Sequence, residues 1–269
     1  MDVREMHEGN RTAWNEAAAH YAEGLEEQIA FLRGGGTNFC DAERPYLHDL
    51  SDWCGRAIHL QCAGGTDTLS LWNLGAREVV GVDISEDMIA VARAKSDALN
   101  APAQWFHSDV LETPHELDCT ADLVYTGRGA INWLHDMEGW AGVVARLLKP
   151  GGRLYLFEGH PLTWVWDQEA TELRLDPVYG DYFQMSAQDS QGWGPTYVGE
   201  LSKPKEQLSR KYESQKTFGQ VLNPLLAAGL RLEKLEEHAE EYWPQFENLP
   251  AAVVAKLPNT FSLLMRKDA

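Results

Sequence analysis

Residues 59 to 93 read HLQCAGGTDTLSLWNLGAREVVGVDISEDMIAVAR. They follow the apolar pair Ala57-Ile58, so Ala57–Gln61 reads as a short strand that turns at Gly64-Gly65 into a helical stretch, Asp67–Leu74. Gly75 follows as a helix stop, Glu78–Asp83 returns as a second strand, and Ser85 is placed to cap a helix over Glu86–Leu99. Strand, helix, strand, helix with apolar strands argues for a parallel sheet covered on both faces. In such sheets ligands bind beyond the carboxyl ends of the strands, which makes the turn at 61–65 the leading site.

The turn carries an internal test. A pyrophosphate needs glycines to approach the backbone closely, and Gln61 and Ala63 narrow that approach. A nicotinamide-dependent oxidoreductase is therefore disfavoured. A smaller anion, such as an amino-acid carboxylate, can still be received by the free N–H groups of the helix start.

Working outward, the alternation continues through strands at Gln104–His107, Leu123–Thr126 and Arg153–Glu158. A helix over Met137–Leu148 is ended by Pro150-Gly151-Gly152. The chain finishes differently. Helix Phe218–Ala228 is followed by strand-like Leu230–Leu235 and Asn259–Arg266 with no strong helix between them, which predicts an antiparallel pair at the sheet's edge. Before the sheet, Ala18, Tyr21, Leu25, Ile29 and Leu32 recur at helical spacing from Trp14 to Gly34-Gly35-Gly36, and a second helix is expected over Pro45–Trp53. Pro161–Lys216 breaks the pattern. Trp164, Trp166, Tyr179, Tyr182, Phe183, Trp193, Tyr197 and Tyr212 lie there among Gly, Asp, Ser and Gln, an insertion of short strands and loops suited to covering a substrate. The expected division is a helical lid (1–50), a core (51–160 and 217–269) and the insertion (161–216).

Charge and cysteine usage narrow the partners. A formal charge of -18 repels phosphate backbones, and no basic patch relieves it, so nucleic acids and anionic membranes are poor partners. Cys40, Cys54, Cys62 and Cys119 lack zinc spacing and suggest no disulfide framework; no metal is expected. The charged start MDVREMHEGN predicts no signal peptide, no apolar run is of spanning length, and a cytoplasmic location is the default.

Asp83 ends the second strand, where a carboxylate can accept both hydroxyls of a ribose; capping the next helix is the alternative, but Ser85 already offers itself. Asp109, in Ser108-Asp109-Val110 after the third strand, can accept from an adenine amino group or simply satisfy its own turn. Ile84 and Met88 flank the adenine in this reading, or belong to the core. Gln61 turns its amide toward an amino-acid portion, or satisfies loop backbone. Trp14 and Tyr21 share one helix face; packing on the sheet is the plain reading, and an aromatic face would also attract a cationic ligand by about 0.5–2 kcal/mol.

An amino-acid carboxylate, a ribose and an adenine in that order correspond to S-adenosylmethionine. The stretch at 59–93 resembles the cofactor half of a class I S-adenosylmethionine-dependent methyltransferase, most closely a bacterial subgroup whose first loop is written His-Leu-Gln-Cys. In that resemblance His59 takes an acidic position, and Gln61, Ala63 and Gly65 take the three glycine positions. DLVYTGRGAINWLHDMEGWAGVVARLLKPGGRLYLFEGHP at 122–161 and NRTAWNEAAAHYAE at 10–23 resemble the same subgroup. The resemblance implies an α/β, Rossmann-like, seven-stranded, mostly parallel sheet with the antiparallel C-terminal edge pair. It also implies S-adenosyl-L-methionine as cofactor, bound by Trp14, Tyr21, Gln61, Ala63, Gly65, Asp83, Ile84, Met88, Asp109, Val110 and Tyr125. Transfer to an O, N or S atom of a small-molecule acceptor follows as the expected activity. Where this chain has Gly127-Arg128, relatives resembling it often carry Ser-His, so a base is not available there. Arg128 would bind an acidic group or shape the loop. His135 and His160, the latter near Glu158, are the candidate bases, and Trp133, Trp164 and Trp166 would line the acceptor pocket or be ordinary core. A non-catalytic binding protein is the alternative that Gly127-Arg128 keeps open, and homodimerisation through the insertion is undecided.

Overall fold

A computed structural model describes residues 2–183, 187–194, 198–199 and 201–268; Tyr197 lies outside the described residues. Helices α1 (Val3–Glu23) and α2 (Leu25–Arg33) lead to a short α3 (Leu50–Trp53) and then to the sheet. There follow β1 (Arg56–Leu60), α4 (Thr66–Asn73), β2 (Glu78–Asp83), α5 (Glu86–Leu99), β3 (Ala103–His107), β4 (Ala121–Gly127), α6 (Met137–Leu147) and β5 (Leu148–Gly159). The insertion holds β6 (Gln188–Gln191) and β7 (Arg210–Glu213), after which come α7 (Phe218–Ala227), β8 (Leu230–His238), α8 (Ala251–Val254) and β9 (Thr260–Lys267).

The sheet has the order β3-β2-β1-β4-β5-β9-β8. Its first five strands are parallel, and β9 runs antiparallel between β5 and β8. Alternate residues of the central strands feed two cores, as the two-residue period of a strand requires. Ile58, Leu60, Val80, Val82 and Val124 pack with α6 and α7 on one face. Ala57, Val79, Leu123, Tyr125 and Phe157 pack with α4, α5 and the segment around α3 on the other. One indole explains two glycines: a Cβ at Gly81 would lie 2.4 Å from the Trp105 ring, and one at Gly65 would lie 2.5 Å from it.

Three expectations are corrected. The first helix begins well before Trp14, started by the Asp2/Glu5 capping box, and is broken at Gly24 into α1 and α2. Of Pro45–Trp53 only Leu50–Trp53 is helical; the preceding turns are held by tertiary contacts of Glu43, which is fully buried. Finally, α6 stops at Leu147, and Pro150-Gly151-Gly152 lies within β5, with Gly151 in the left-handed region at φ 79°.

The described part of the insertion includes short strands, with β6 and β7 antiparallel and an isolated bridge between Trp166 and Leu175. It braces α1. Asn10 exchanges hydrogen bonds with the Tyr212 backbone (2.8 and 2.6 Å), and Glu16 accepts from the Ser209 N–H at 2.9 Å. Among the described residues no helix is long and apolar enough to cross a membrane.

At the end of β4 the backbone runs so close to β5 that a Cβ on Gly127 would sit 2.2 Å from the Phe157 carbonyl oxygen. Gly127→Ala is therefore expected to lower the unfolding free energy by about 1–3 kcal/mol, read from urea unfolding midpoints.

Candidate functional site

A cavity of about 620 Å³ crosses the carboxyl ends of the parallel strands. Its floor follows the sheet order: Asp109 and Val110 beyond β3, Asp83 and Ile84 beyond β2, Gln61 to Asp67 beyond β1, and Gly127 to Ala130 beyond β4. Its roof is one stripe of α1, formed by His7, Asn10, Trp14 and Tyr21 at helical spacing, continued by Gln28 and Phe31 of α2.

The turn after β1 keeps a glycine-like path although Gln61 and Ala63 stand at two of its glycine positions. Gln61, Ala63 and Gly65 all have positive φ, at 57°, 44° and 77°. Such a backbone costs about 1–3 kcal/mol for each non-glycine residue and persists only where its surroundings enforce it. Asp83 is one enforcer: its Oδ2 accepts the Ala63 N–H at 2.7 Å. Lys95 is another. Fully buried beneath the turn, it donates to the Gly64 carbonyl (2.7 Å) and Thr66 Oγ1 (2.8 Å), and burial pushes its pKa down to about 8. At Gln61, Nε2 donates to the Ala130 carbonyl at 2.7 Å, whereas Oε1 is buried without a hydrogen-bond partner. An orphaned buried acceptor on a cavity wall fits a ligand that brings a donor.

Asp83 is 9% exposed. Its other oxygen accepts the Ser85 N–H at 2.9 Å, and burial lifts its pKa to about 6 against the pull of these two N–H groups. It does not cap α5, because Ser85 Oγ accepts from the Met88 N–H. Asp109 satisfies its own turn and lines the cavity. Oδ1 satisfies the Leu111 N–H at 2.9 Å, and Oδ2 faces the cavity, where His7 Nδ1 lies 2.6 Å away. Burial raises its pKa, but the His7 contact, the Leu111 N–H and the nearby Arg4 together outweigh that and hold the carboxyl below its ordinary value. His59 presents a neutral ring, since burial pushes its pKa down to about 4; its Nδ1 lies 2.8 Å from Thr68 Oγ1.

Comparison with known proteins gives this cavity a context. A model described as a methyltransferase domain matches residues 57–152. The demethylmenaquinone methyltransferase of Bacillus cereus is 30% identical over 175 residues, spanning 59% of this chain and 72% of that protein. The chain belongs to the class I S-adenosylmethionine-dependent methyltransferases. The demethylmenaquinone methyltransferase of Thermus thermophilus is 35% identical over 105 residues, 38% of this chain and 47% of that protein. The chain thus spans about half the length of some of the curated relatives it matches. An S-adenosylmethionine-dependent methyltransferase from Mesorhizobium loti has the same fold, with a TM-score of 0.55 at 22% identity over 84% of this chain and 98% of that one. S-Adenosylmethionine is accordingly the cofactor.

Within this methyltransferase, several residues expected at the site lie elsewhere. Met88 is fully buried in a small core with Ala17 and Ala18 between α1 and α5. Tyr125 points away from the cavity and gives its hydroxyl to Glu43 Oε1 at 2.9 Å. His160 lies beyond the end of β5, where Nδ1 accepts the Leu162 N–H and Nε2 meets Glu237 on β8 at 2.8 Å. Its closeness to Glu158 in sequence does not bring the two together: Glu158 accepts from the N–H groups of Gly129 and Ile131. His135 lies outside the cavity with Nε2 3.2 Å from the Tyr212 carbonyl, and burial pushes its pKa down to about 4. Neither histidine is placed to act as a base. Trp164 meets Tyr179, and Trp166 bridges to Leu175, so both stay within the insertion. None of the described residues of 161–216 lines the cavity.

Arg128 does line it, in the left-handed region at φ 61°. Its guanidinium is already engaged, binding the buried Glu43 carboxylate and the Asn38 carbonyl, with Asp67 3.8 Å away. An acidic ligand would have to compete with these carboxylates.

Trp133 lines the cavity beside Trp14, with ring centroids 5.3 Å apart, and Trp193 of the insertion closes the cluster 4.6 Å from Trp14. The insertion therefore acts on the site through the roof. Trp193→Ala is expected to weaken S-adenosylhomocysteine binding about 3–10-fold by calorimetry, the worth of a lost aromatic pair; unchanged affinity would show the brace to be dispensable.

Sequence reasoning missed His7, Lys95, Phe31, Tyr242 and Trp243. The stripe His7, Asn10, Trp14, Tyr21 was a usable signal for the first. The adjacent Tyr242-Trp243 in an unexpectedly long connection between paired strands was one for the last two.

Proposed function

We propose that this methyltransferase transfers a methyl group from S-adenosylmethionine to a small-molecule acceptor held in the same cavity. The observation that carries the reading is the ordered series of acceptor groups at successive strand ends: Asp109 beyond β3, Asp83 beyond β2 and the orphaned Gln61 Oε1 beyond β1. In this reading Asp109 takes the adenine amino group, Asp83 the ribose hydroxyls, and Gln61 Oε1 the ammonium of the amino-acid end. The first N–H groups of α4 receive the carboxylate. Ile84 and Val110 flank the base, and Trp14 and Tyr21 cover the ligand.

When bound, the cofactor supplies a methyl carbon on a cationic sulfonium, open to direct displacement by a nucleophile. The protein's part is to bind, align and exclude water, which is worth up to roughly 7–11 kcal/mol of the barrier. The aromatic roof favours a positive charge beneath it. Proton removal by His135 or His160 has no place in this mechanism.

The test is tritiated-methyl transfer across classes of small acceptors, beside calorimetry with S-adenosylhomocysteine. Transfer to an organic-extractable product is expected. Product binding without turnover on any acceptor would favour a binding protein instead.

A further inference from the structure

Resting on that reading, we infer that the acceptor is a flat, uncharged aromatic molecule held at the β4–β5 end of the cavity by Phe31, Tyr242 and Trp243. If the cofactor occupies the strand ends from β3 to β1, the remaining space lies beyond β4, toward β5. Here the wall changes character, to the rings of Phe31 on α2 and of Tyr242 and Trp243. The latter two ride on the segment 239–259, which joins β8 to β9. Antiparallel neighbours need only a loop of roughly 2–5 residues, so this connection is long for its task. It is fitted to the site: Tyr242 packs edge-on against Phe157 at 5.9 Å and against Trp243 at 4.1 Å. Its hydroxyl crosses the end of β5 where only Gly159 leaves room, 3.1 Å from where a Cβ would stand. Across the cavity Phe31 leaves 46% of its surface exposed, a large apolar ring awaiting a cover.

Charge sets the second half of the inference. Glu27, Asp67, Asp83 and Asp109 all line the cavity, whereas Arg128 is bound by Glu43 and approached by Asp67. An anionic acceptor would enter an acidic wall whose cation among the described lining residues, Arg128, is already paired with Glu43 and keeps only its buried Nε without a hydrogen-bond partner. An uncharged ring with a hydroxyl could stack on the aromatic side chains and donate to Asp67, whose Oδ1 already accepts from Asn38 at 2.7 Å.

Two probes with the same ring separate the requirements: 2-naphthol, uncharged at neutral pH, and 2-naphthoate, an anion. Each is titrated by saturation-transfer NMR into protein saturated with S-adenosylhomocysteine, whose affinity is measured by calorimetry on the same samples. Naphthol is expected to bind and naphthoate to bind at least about ten-fold more weakly. Trp243→Ala and Phe31→Ala are each expected to weaken naphthol about ten-fold while leaving S-adenosylhomocysteine affinity within about two-fold of wild type. Equal binding of the two probes, or naphthol binding untouched in both variants, would overturn the inference. Failure of S-adenosylhomocysteine to bind wild type would instead bring down the functional reading beneath it, and the inference with it.

Discussion

Replacing Arg128 by alanine is expected to lower the unfolding free energy by about 3–5 kcal/mol, with a fall in Tm of roughly 6–20 °C. The cost arises at Glu43, which has no exposed surface and, among the described residues, no other cationic partner in contact. Its carboxylate accepts from Arg128, from the Cys40 N–H at 3.1 Å and from the Tyr125 hydroxyl at 2.9 Å. Burial raises the Glu43 pKa above its ordinary 4.5, and Arg128 is the main counterweight. Without the guanidinium the buried charge is uncompensated. A carboxyl whose folded pKa lies above 4.5 folds more readily when protonated, so its cost appears as pH rises above 4.5 and grows until the folded pKa is passed. The variant's deficit should therefore be small near pH 4.5 and larger at pH 8. Adding Glu43→Gln to Arg128→Ala should recover part of the loss. A Tm within about 2 °C of wild type at pH 8 would show the pair to be ornamental.

Asp83→Ala is expected to weaken S-adenosylhomocysteine binding about 100-fold or more. Hydrogen bonds to a charged group contribute about 1.5–3 kcal/mol each, and the substitution also frees the N–H groups of Ala63 and Ser85 that the carboxylate orders. Because burial places the Asp83 pKa at about 6, the wild-type affinity should depend on pH. Ligand hydroxyls that donate hydrogen bonds favour the ionised carboxylate, so affinity should rise as pH increases through about 6 and level off above it. Asp83→Asn should bind weakly and lose most of that pH dependence. Calorimetry at pH 5, 6 and 7.5 reads all three effects.

Much of the core was legible because local and global signals agree there. β2 and α5 matched their expected spans, bounded by Asp83, Ser85 and a left-handed Asn100. Once the strands are placed, the residues just past their ends are placed as well, which is why Asp83, Ile84, Asp109 and Val110 could be put on one cavity. Gln61 and Ala63 were harder. Their residue types argue against a glycine turn, yet the contacts of Asp83 and Lys95 hold the backbone in one.

What escaped was set by tertiary contact. Tyr125 and Asp83 both lie at the carboxyl ends of parallel strands, but Tyr125 is drawn beneath the surface by Glu43, a residue just before the segment expected to be helical. Glu158 and His160 are near in sequence and diverge in space, one serving the backbone of 129–131 and the other reaching β8. The insertion drew attention through its aromatic content, but the described parts of it support α1 rather than line the cavity. Tyr242 and Trp243 come instead from a connection that strand pairing alone would have left short.

The central claim is that the cavity holds S-adenosylmethionine across the strand ends, with Asp83 on its sugar. Its most direct test is a crystal structure of the full chain with S-adenosylhomocysteine. Electron density is expected with the ribose hydroxyls on the Asp83 carboxylate, the adenine beside Asp109 and the amino-acid end at Gln61. Density for the ligand away from Asp83, or lying with its adenine toward β4, would contradict the account.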